Sequence, residues 1–545
     1  MSGTQSKHYK VEDQNELQSF VRNVADANAK PGMVLDSASA ATAALDTMKN
    51  EAGARPRALD ELLGKVGSDQ ENAVVKSIFD GAMLYEREHG MQPSGDLLLS
   101  AVHQCESLYD SASNSHHDQI SLHPNAPVVA ILGAIAEACP FAGYLPADRG
   151  SNEARLIIVT HQAGSNWGTY NQGDLMDGIA CGGPYLASAR TMELTDPNAD
   201  GAYKFAFKAQ GDKGAGLNLL RGRSIIYVNG RIAAAEVGNG PSTAASVPIV
   251  GSYLLGGTTY QLTGTVAPAT GEIVVTPTPA LPKGTSVSVE AFADYEAEPN
   301  TTPRMAVQAS VYQLFASPYR AIYQLTPEAR AQFANEVGVD AGAQAMMAVR
   351  GQYAMERHYN AIYKAKQVGK YANIEQYDFA FADQMQQKTR AQIWQDFQAV
   401  IGKVSQKMAE DTADHGVTHL YVTKSVLAQF RSMGSDLWEP SGIVDRPGIF
   451  RAGRLFGQYD VYYTPRGLNE TPDGKSAEIL AVGRSSQTAR NPVIFGDASA
   501  PMFEQLGMGT DQKTGYGFNA RSFTSLNPHD MSSLGCALIQ VTNLK

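Results

Sequence analysis

Cysteine is scarce in this chain of 545 residues, with only four residues and no CxxC pair. Cys105, Cys139, Cys181 and Cys536 are scattered along the sequence. Such scatter argues against a disulfide framework and against a structural zinc site, since both need cysteines at defined spacings. We therefore expect a protein of a reducing compartment.

Charged residues are also sparse, at 18% of the chain against about 25% in an ordinary soluble domain. The chain has 55 acidic and 44 basic side chains, a net charge of −11 and a pI near 5.5. This balance excludes a protein that coats nucleic acid, because phosphate binding depends on clustered Lys and Arg. So few charges in so long a chain suggest that other subunits cover much of its surface.

Long apolar runs are lacking as well. The N-terminal stretch MSGTQSKHYKVEDQNELQ is polar and does not contain the apolar core of a secretory signal. The most apolar segment, 126–145, contains Glu137 and Pro140, which leave less than the roughly 20 residues that a membrane span needs. We expect a soluble intracellular protein that does not contact a membrane.

Motifs for catalysis or metal binding are lacking too. Ser165 and Ser486 lie outside any GxSxG motif, and the sequence contains no HExxH. The densest set of potential metal ligands is His116, His117, Asp118 and His123. Most of this set lies in the polar loop 111–122, and we interpret it as a solvated loop because zinc sites need ligands that converge from fixed geometry.

The remaining candidates have simple structural interpretations. Two glycine-rich triplets, 507–509 and 515–517, are not followed by GK[ST], and turn chemistry explains them better than phosphate binding. Met346-Met347 and the tryptophans are interpreted as core or interface residues, and three lysines as exposed loop residues: Trp167, Trp394, Trp438; Lys204, Lys208, Lys213. We predict no catalytic, cofactor-binding or metal-binding residue, no cofactor, and no enzyme activity.

Several helices and strands are predicted from the pattern of apolar residues. Residues 1 to about 115 contain apolar residues at helical spacing, broken by Gly, Ser and Ala runs, which predicts a loose helical arm without a strong core. A helix from Asn125 ends at Pro140, and the strand Ala154–Thr160 follows. Residues 164–222 are rich in Gly, Asn and Asp and predict an extended excursion.

A small all-β module is predicted at 223–300. Its strands are Ser224–Val228, Tyr253–Leu255, Thr258–Val266, Glu272–Thr276 and Ser286–Phe292.

The rest of the chain predicts an α+β body. Met305–Leu325 is β-like, and helices follow at Asp340–Lys366 and Arg390–Asp414, the second ended by Gly416. Further strands and a short helix are predicted at His419–Thr423, Ser425–Met433, Gln458–Thr464, Glu478–Gly483, Pro492–Phe495 and Ala537–Leu544. The last of these is expected to return and close a sheet.

The order and spacing of these elements resemble the major capsid proteins of tailed bacteriophages, which have the Hong Kong 97 fold, especially the larger T-even-like members. The resemblance runs from about residue 120 to the C-terminus. It rests on the helix and strand at 125–160, the strand and helix pair at 305–366, the helix and strand at 390–423, and the late segments Ile479–Arg484, Asn491–Gly496 and on to Pro501, with the ending Arg521, Asn527-Pro528 and Ala537–Leu544.

The resemblance implies an α+β Hong Kong 97-type fold with five regions. They are a helical N-terminal arm or scaffold-like region (1–120), the arm helix, strand and start of the extended loop (121–222), an inserted β domain (223–300), a peripheral domain with a spine helix (301–415), and an axial domain with the closing strand (416–545). It implies a structural protein that self-assembles into hexamers and pentamers of an icosahedral head, in the virion, after assembly in the host cytoplasm.

The resemblance also implies partners. The first is the chain itself, in hexameric and pentameric capsomers, and the others are portal, scaffold, maturation protease and decoration proteins. The shell would enclose double-stranded DNA without binding it specifically. T-even-like proteases cut after a Glu that follows Leu or Ile two positions earlier, which Glu61 and Glu86 satisfy. We expect an uncleaved arm.

Two alternatives stay open. One is a carbohydrate-active or carbohydrate-binding protein whose β module binds sugar, suggested by the Gly-, Thr- and Tyr-rich strands around Tyr253–Val266. The other keeps the fold but makes the chain a five-fold vertex paralogue or an encapsulin-like compartment shell.

Overall fold

The computed structural model describes residues 10–28, 36–50, 55–114, 126–148, 150–211, 213–237, 244–297, 302–338, 340–509 and 512–544. The chain forms two compact units, unit 1 (1–158 with 311–545) and unit 2 (159–310). The chain passes from unit 1 to unit 2 along strand β2 (Glu153–Ala163) and returns along β13 (Met305–Phe315), and the two strands pair with each other. The predicted mixture of helices and strands is confirmed.

The described α-helices all belong to unit 1. They are α1 (Val11–Asn28), α2 (Ser37–Asn50), α3 (Arg57–Leu63), α4 (Glu71–His89), α5 (Gly95–Asn114), α6 (Ala126–Ala136), α7 (Pro327–Gln332), α8 (Ala341–Ala372), α9 (Phe381–Gln384), α10 (Arg390–Thr412), α11 (Lys424–Arg431) and α12 (Asp530–Ser533). In the ranges that the structure describes, none of the helices has the length and apolar character to span a membrane.

The N-terminal helices share a core with the rest of unit 1. Leu62, Phe79 and Leu98 belong to the same buried cluster as Ile362 and Val493, which lie far along the chain. The prediction of a loose arm without a strong core was therefore wrong for the described residues of this segment. Its apolar stripes are short and interrupted in sequence, and their partners come from α8 and from strands some 300 residues away, which local periodicity does not reveal.

Unit 1 also contains two β-sheets. The first has the order β1-β21-β22-β14, with β1 (Gly143–Tyr144), β14 (Ser317–Leu325), β21 (Val493–Leu506) and β22 (Thr514–Leu526). The second has the order β15-β23-β20-β16-β19-β18-β17, with β15 (Ile374–Asp378), β16 (His419–Val422), β17 (Trp438–Pro440), β18 (Phe450–Leu455), β19 (Tyr459–Tyr463), β20 (Ala477–Val482) and β23 (Cys536–Thr542). The closing strand β23 thus lies inside its sheet.

The long helix α8 packs against strands of both sheets of unit 1. The Asp340 side chain caps it by accepting a hydrogen bond from the Gly342 amide at 2.9 Å, and its 32 residues span about 48 Å. Near its end Gly369 lies against the backbone of β23, where an added Cβ would stand 2.8 Å from the Ala537 carbonyl carbon. Glycine therefore lets helix and sheet approach closely.

Helix α10 starts as predicted and stops slightly early. Thr389 and Gln392 form a reciprocal capping box at its N-terminus. At its C-terminus the residue in the left-handed conformation is Ala413, with φ of 56°, and not the predicted Gly416. Gly416 instead lies against Ser405, whose Oγ would be 2.4 Å from an added Cβ.

Unit 2 contains an eight-stranded sheet in the order β3-β12-β7-β8-β9-β10-β11-β4. Its strands are β3 (Ala189–Leu194), β4 (Tyr203–Ala206), β7 (Ile225–Val228), β8 (Arg231–Glu236), β9 (Val247–Leu255), β10 (Thr258–Ala267), β11 (Glu272–Thr278) and β12 (Val287–Phe292); β5 (Lys208–Gln210) and β6 (Lys213–Gly216) pair separately.

Sequence patterns located most of these strands but not the extent of the sheet. All five strands predicted between 223 and 300 are present, each within a few residues except that β9 starts earlier, and β8 was missed. The edge strands β3 and β4 lie in the predicted excursion 164–222, and they pair with β12 and β11, which are more than 65 residues away in sequence. The sheet therefore starts well before residue 223.

Candidate functional site

The predicted chemical candidates do not assemble into a reactive centre. His116, His117, Asp118 and His123 lie outside the described residues. Within the described ranges, no group of three or more His, Cys, Asp or Glu is arranged to hold a metal ion. Ser165 has a structural position, since its Oγ lies 3.2 Å from the Tyr185 hydroxyl and accepts a hydrogen bond from the Arg304 amide.

The other candidates also have structural positions. The triplet 507–509 follows strand β21, and 515–517 lies inside β22, where Gly515 packs against the Tyr323 carbonyl. The three tryptophans are buried, and Lys204 forms an ion pair with Asp200 at 2.5 Å. Of the methionine pair on α8, Met347 is exposed.

A more informative feature is a series of exposed apolar side chains on strands. In unit 1, Ile157 on β2, Val311 and Phe315 on β13, and Ile322 on β14 are 42%, 56%, 62% and 72% exposed. In unit 2, Val159, Met305 and Val307 on the same two strands are exposed as well. We refer to Ile157, Val311, Phe315 and Ile322 collectively as the apolar strand surface, of which the first three lie on the β2–β13 pair and Ile322 lies on the edge strand β14 of another sheet. Large apolar side chains that are exposed on strands are candidates for burial against a partner.

The alternation of residues along β13 indicates an apolar face on this strand. On β13 the apolar residues Met305, Val307, Val311 and Phe315 all occupy odd positions, so they share one face of the strand. The pattern shows that one face is apolar, but only the fold shows that this face points to solvent.

Ile322, the part of the apolar strand surface on β14, rests on a platform formed by β22 and α8. Strand β14 pairs with β22 along nine residues, from Ser317 opposite Ser522 to Leu325 opposite Thr514. Beneath it, the Tyr353 ring contacts Tyr319 and Phe518, with ring centroids 5.1 Å and 5.5 Å apart. Strand β14 is the last strand of its sheet, so Ile322 is presented beside an open strand edge.

A buried ion pair anchors this platform. Arg357 lies 3.0 Å from Asp497, and the Tyr353 hydroxyl lies within hydrogen-bonding distance of Asp497 (3.3 Å) and of the Ser522 hydroxyl (3.0 Å). Burial alone would lower the pKa of the Arg357 guanidinium, but Asp497 together with Tyr353, Tyr144 and Tyr319 outweighs burial, and the pKa is raised. Arg357 therefore stays charged and holds α8 against β21 through Asp497.

Helix α8 adds exposed apolar and aromatic side chains, namely Met347, Met355, Tyr363 and Tyr371. Beside it lies an open groove of about 370 Å³ lined by residues of α8 with Arg466 and Gly467. The helix thus offers a second partly apolar surface in unit 1.

Histidines are buried where the N-terminal helices meet the seven-stranded sheet. His89 on α4 lies with Nδ1 3.0 Å from the Tyr462 hydroxyl, and His419 on β16 has its ring 5.8 Å from the same Tyr462. The pKa of His89 is lowered to about 3. Burial is the main cause, and the neighbouring groups His358, His419, Arg446 and Arg451 add to it. Burial lowers the pKa of His419 to about 4, with Asp460 partly opposing it and Arg484, Arg451 and Arg454 adding to it.

A second buried polar contact joins the same elements. Arg484, just after β20, donates from Nη2 to Asp96 at 3.1 Å and to Ser94 at 2.6 Å, and from Nη1 to the Pro140 carbonyl. Asp96 also accepts a hydrogen bond from the Tyr144 amide at 2.9 Å. The side chains of Asp96 and Arg484 are only 5% and 14% exposed, so this pair ties α5 to the sheet away from water.

Comparison with known proteins gives matches among solved structures. No protein-family model and no curated protein matches the sequence. The chain is similar to the capsid of jumbo bacteriophage PhiKZ, with 8% identity over 74% of this chain and 91% of that one and a TM-score of 0.38. It is also similar to the capsid of Myoviridae phage XM1, with 9% identity over 45% of this chain and 79% of that one and a TM-score of 0.28. The SrpI encapsulin of Synechococcus elongatus is similar as well, with 8% identity over 44% of this chain and 79% of that one and a TM-score of 0.25.

Proposed function

We propose that this chain is the major structural subunit of an icosahedral phage head, which assembles with copies of itself into hexamers and pentamers around double-stranded DNA. Its role is structural, without a catalytic, cofactor or metal site of its own. The chain is a component of the virion and assembles in the host cytoplasm.

The observation that carries this proposal is the apolar strand surface. Covering one such partly exposed side chain stabilises an assembly by about 1 kcal/mol, so the surface is costly to leave in water and favourable to bury against a neighbour. Its platform is held by the β14–β22 ladder and the buried Arg357–Asp497 pair. A rigid apolar surface of this kind suits repeated head-to-tail contacts, which close into rings when the rotation between copies allows.

The charge of the chain supports a container in preference to a binder of DNA. With a net charge of −11, copies of the chain and packaged DNA repel each other at distances up to a Debye length of about 8 Å. The contents of such a shell would not adhere to its wall.

The finer layout is part of the proposal. We assign 1–120 to the N-terminal region, 121–188 to the arm helix, strand and start of the extended loop, 189–300 to an inserted β domain that includes β3 and β4, 301–415 to the peripheral domain with α8 as spine helix, and 416–545 to the axial domain. Portal, scaffold, maturation protease and decoration proteins are the proposed further partners.

Self-association is tested by expressing the chain and imaging it by electron microscopy. We expect shells, tubes or capsomers from the wild-type chain, and at least a tenfold loss of assembled material for Ile322→Glu or Phe315→Glu, because each buries an unpaired carboxylate. The fraction of chain in fast-sedimenting particles gives the measurement.

The matched control adds the same charge elsewhere. Gln398→Glu, on the exposed side of α10, is expected to assemble as the wild type does. A discrete wild-type monomer, or equal assembly of Ile322→Glu and wild type, would contradict the proposal.

We further propose that the N-terminal region is retained. Glu86 lies on α4 beside Tyr85, which is 1% exposed, and Glu61 lies on α3 beside the fully buried Leu62. Removing residues up to either site would strip helices from the core that α8 also shares. Intact-mass analysis of protein from purified particles is expected to give the uncut chain at both sites, and a new terminus at Leu62 or Arg87 would overturn this.

A further inference from the structure

One segment of unit 2 carries no acidic or basic side chain. From Val237 to Gly271 the sequence contains no Asp, Glu, Lys, Arg or His, over 35 residues of a chain in which 18% of residues are charged. The described part of this segment, from residue 244, includes β9 and β10. They form a tight hairpin through Gly256 and Gly257, which both have positive φ.

The two faces of this hairpin differ. Val247, Ile249, Leu262 and Val266 point inward and are at most 2% exposed. The opposite face shows Val250 and Leu254, which are 57% and 66% exposed.

The neighbouring strands extend this opposite face. Val250 stands opposite Thr263, and Thr263 stands opposite Thr276 on β11. We define the uncharged sheet face as Val250, Leu254, Thr263, Thr265, Thr276 and Thr278, all of which are exposed. Its side chains are neutral and partly apolar, and it is bordered on the same side of the sheet by Glu272 on β11 and Lys204 on β4.

Resting on the proposed self-assembly, we propose that the uncharged sheet face is a contact between two copies of this chain, each presenting the same face to the other. Two such sheets would pack face to face at about 10 Å, as in β-sandwiches.

Charge selects a second copy as the occupant. Two chains that each carry −11 repel, and they approach at lowest cost where neither has charges. A basic partner would be recognised by acidic groups, and the six residues that define this face supply none. A flat sugar is usually held on an aromatic platform. The nearby Tyr260 and Tyr253 pack instead toward the core of unit 2, which disfavours the carbohydrate-binding alternative.

The area of the uncharged sheet face determines whether it can hold two copies together by itself. At the spacing of strands and residues in a sheet, each outward side chain covers about 33 Å², so the six defining residues cover roughly 200 Å². A stable isolated pair needs about 800 Å² on each partner. The face therefore strengthens an assembly that other contacts also hold, and the assembly is where it must be tested.

The test is a charge swap at Val250, repeated at Thr263. We expect Val250→Glu alone and Val250→Lys alone each to raise the concentration needed for assembly at least about tenfold, because like charges then meet across the contact. An equal mixture of the two variants is expected to assemble close to the wild-type concentration, because opposite charges can then pair. Thr195→Glu and Thr195→Lys, in the exposed loop after β3, are the matched controls and should behave as the wild type in both cases.

Each outcome is informative. Wild-type assembly with unimpaired variants at both positions overturns the contact and leaves the proposed function standing. Impaired variants that their mixture does not rescue overturn the pairing of identical faces, because the face then meets a different surface. A wild-type chain that never assembles contradicts the proposed function itself. Thermal melting of each variant checks that these exposed changes leave the fold intact.

Discussion

Replacing Arg484 by methionine is expected to destabilise unit 1 by about 3–5 kcal/mol. The change leaves the Asp96 carboxylate buried and without its cationic partner, which costs far more than the pair itself contributes. Asp96 sits at the start of α5, so we expect the N-terminal helices to separate from the seven-stranded sheet before the sheet unfolds. Denaturant unfolding gives the free energy, and hydrogen exchange of α4 and α5 gives the location.

A second Arg–Asp pair provides the matched control. Arg431 donates two hydrogen bonds to Asp445, at 2.6 Å and 2.8 Å, but the two side chains are 37% and 65% exposed. Solvent screens such a pair, so Arg431→Met should cost at most about 1 kcal/mol. Equal losses for the two variants would show that burial of the Asp96–Arg484 pair is not the cause.

Mild acid is expected to weaken the same junction through His89 and His419. Their folded pKa values, about 3 and about 4, lie below the unfolded value near 6.5. The unfolded chain therefore binds these protons first as the pH falls. The stability that the neutral histidines contribute is complete above pH 6.5 and is lost progressively toward pH 4 and below.

The expected size of this loss can be stated. At pH 5 the solution is about 1.5 pH units below the unfolded pKa of histidine. The corresponding loss in the free energy of unfolding is about 2 kcal/mol for each histidine and about 4 kcal/mol for the two together. Urea unfolding between pH 7.5 and 4.5 measures it.

Variants at these positions separate the histidines from general acid effects. His89→Gln keeps a side chain that can hydrogen bond to Tyr462 but cannot titrate, so its stability should fall less steeply with acid. An identical slope for His89→Gln and the wild type would show that His89 does not contribute.

Much of the secondary structure was predictable because it is encoded locally. The apolar stripe of α10 and the Thr389 cap lie within a few residues of each other, and the strands β10 and β11 are bounded by Thr270-Gly271. The β-like segment 305–325 was likewise found, as β13 and β14.

The predictions failed where partners are distant in sequence. Strands β3 and β4 looked like parts of a loop because their pairing partners lie beyond residue 270. Helices α1–α5 looked like a loose arm because each apolar stripe is short. The apolar strand surface was also missed, since alternation reveals an apolar face but not whether that face is buried.

The scarcity of charge, by contrast, was visible from the start, and the sequence alone determined that the chain is acidic, rich in short strands, and charge-free from 237 to 271. Only the tertiary structure decided that Val250 and Leu254 point to solvent while Ile249 and Leu262 point to the core. It likewise decided that Asp96 meets Arg484, almost 400 residues away. Composition and periodicity are local properties of the chain, whereas burial depends on which distant segments pack together, and that packing determines which surfaces remain for a second copy.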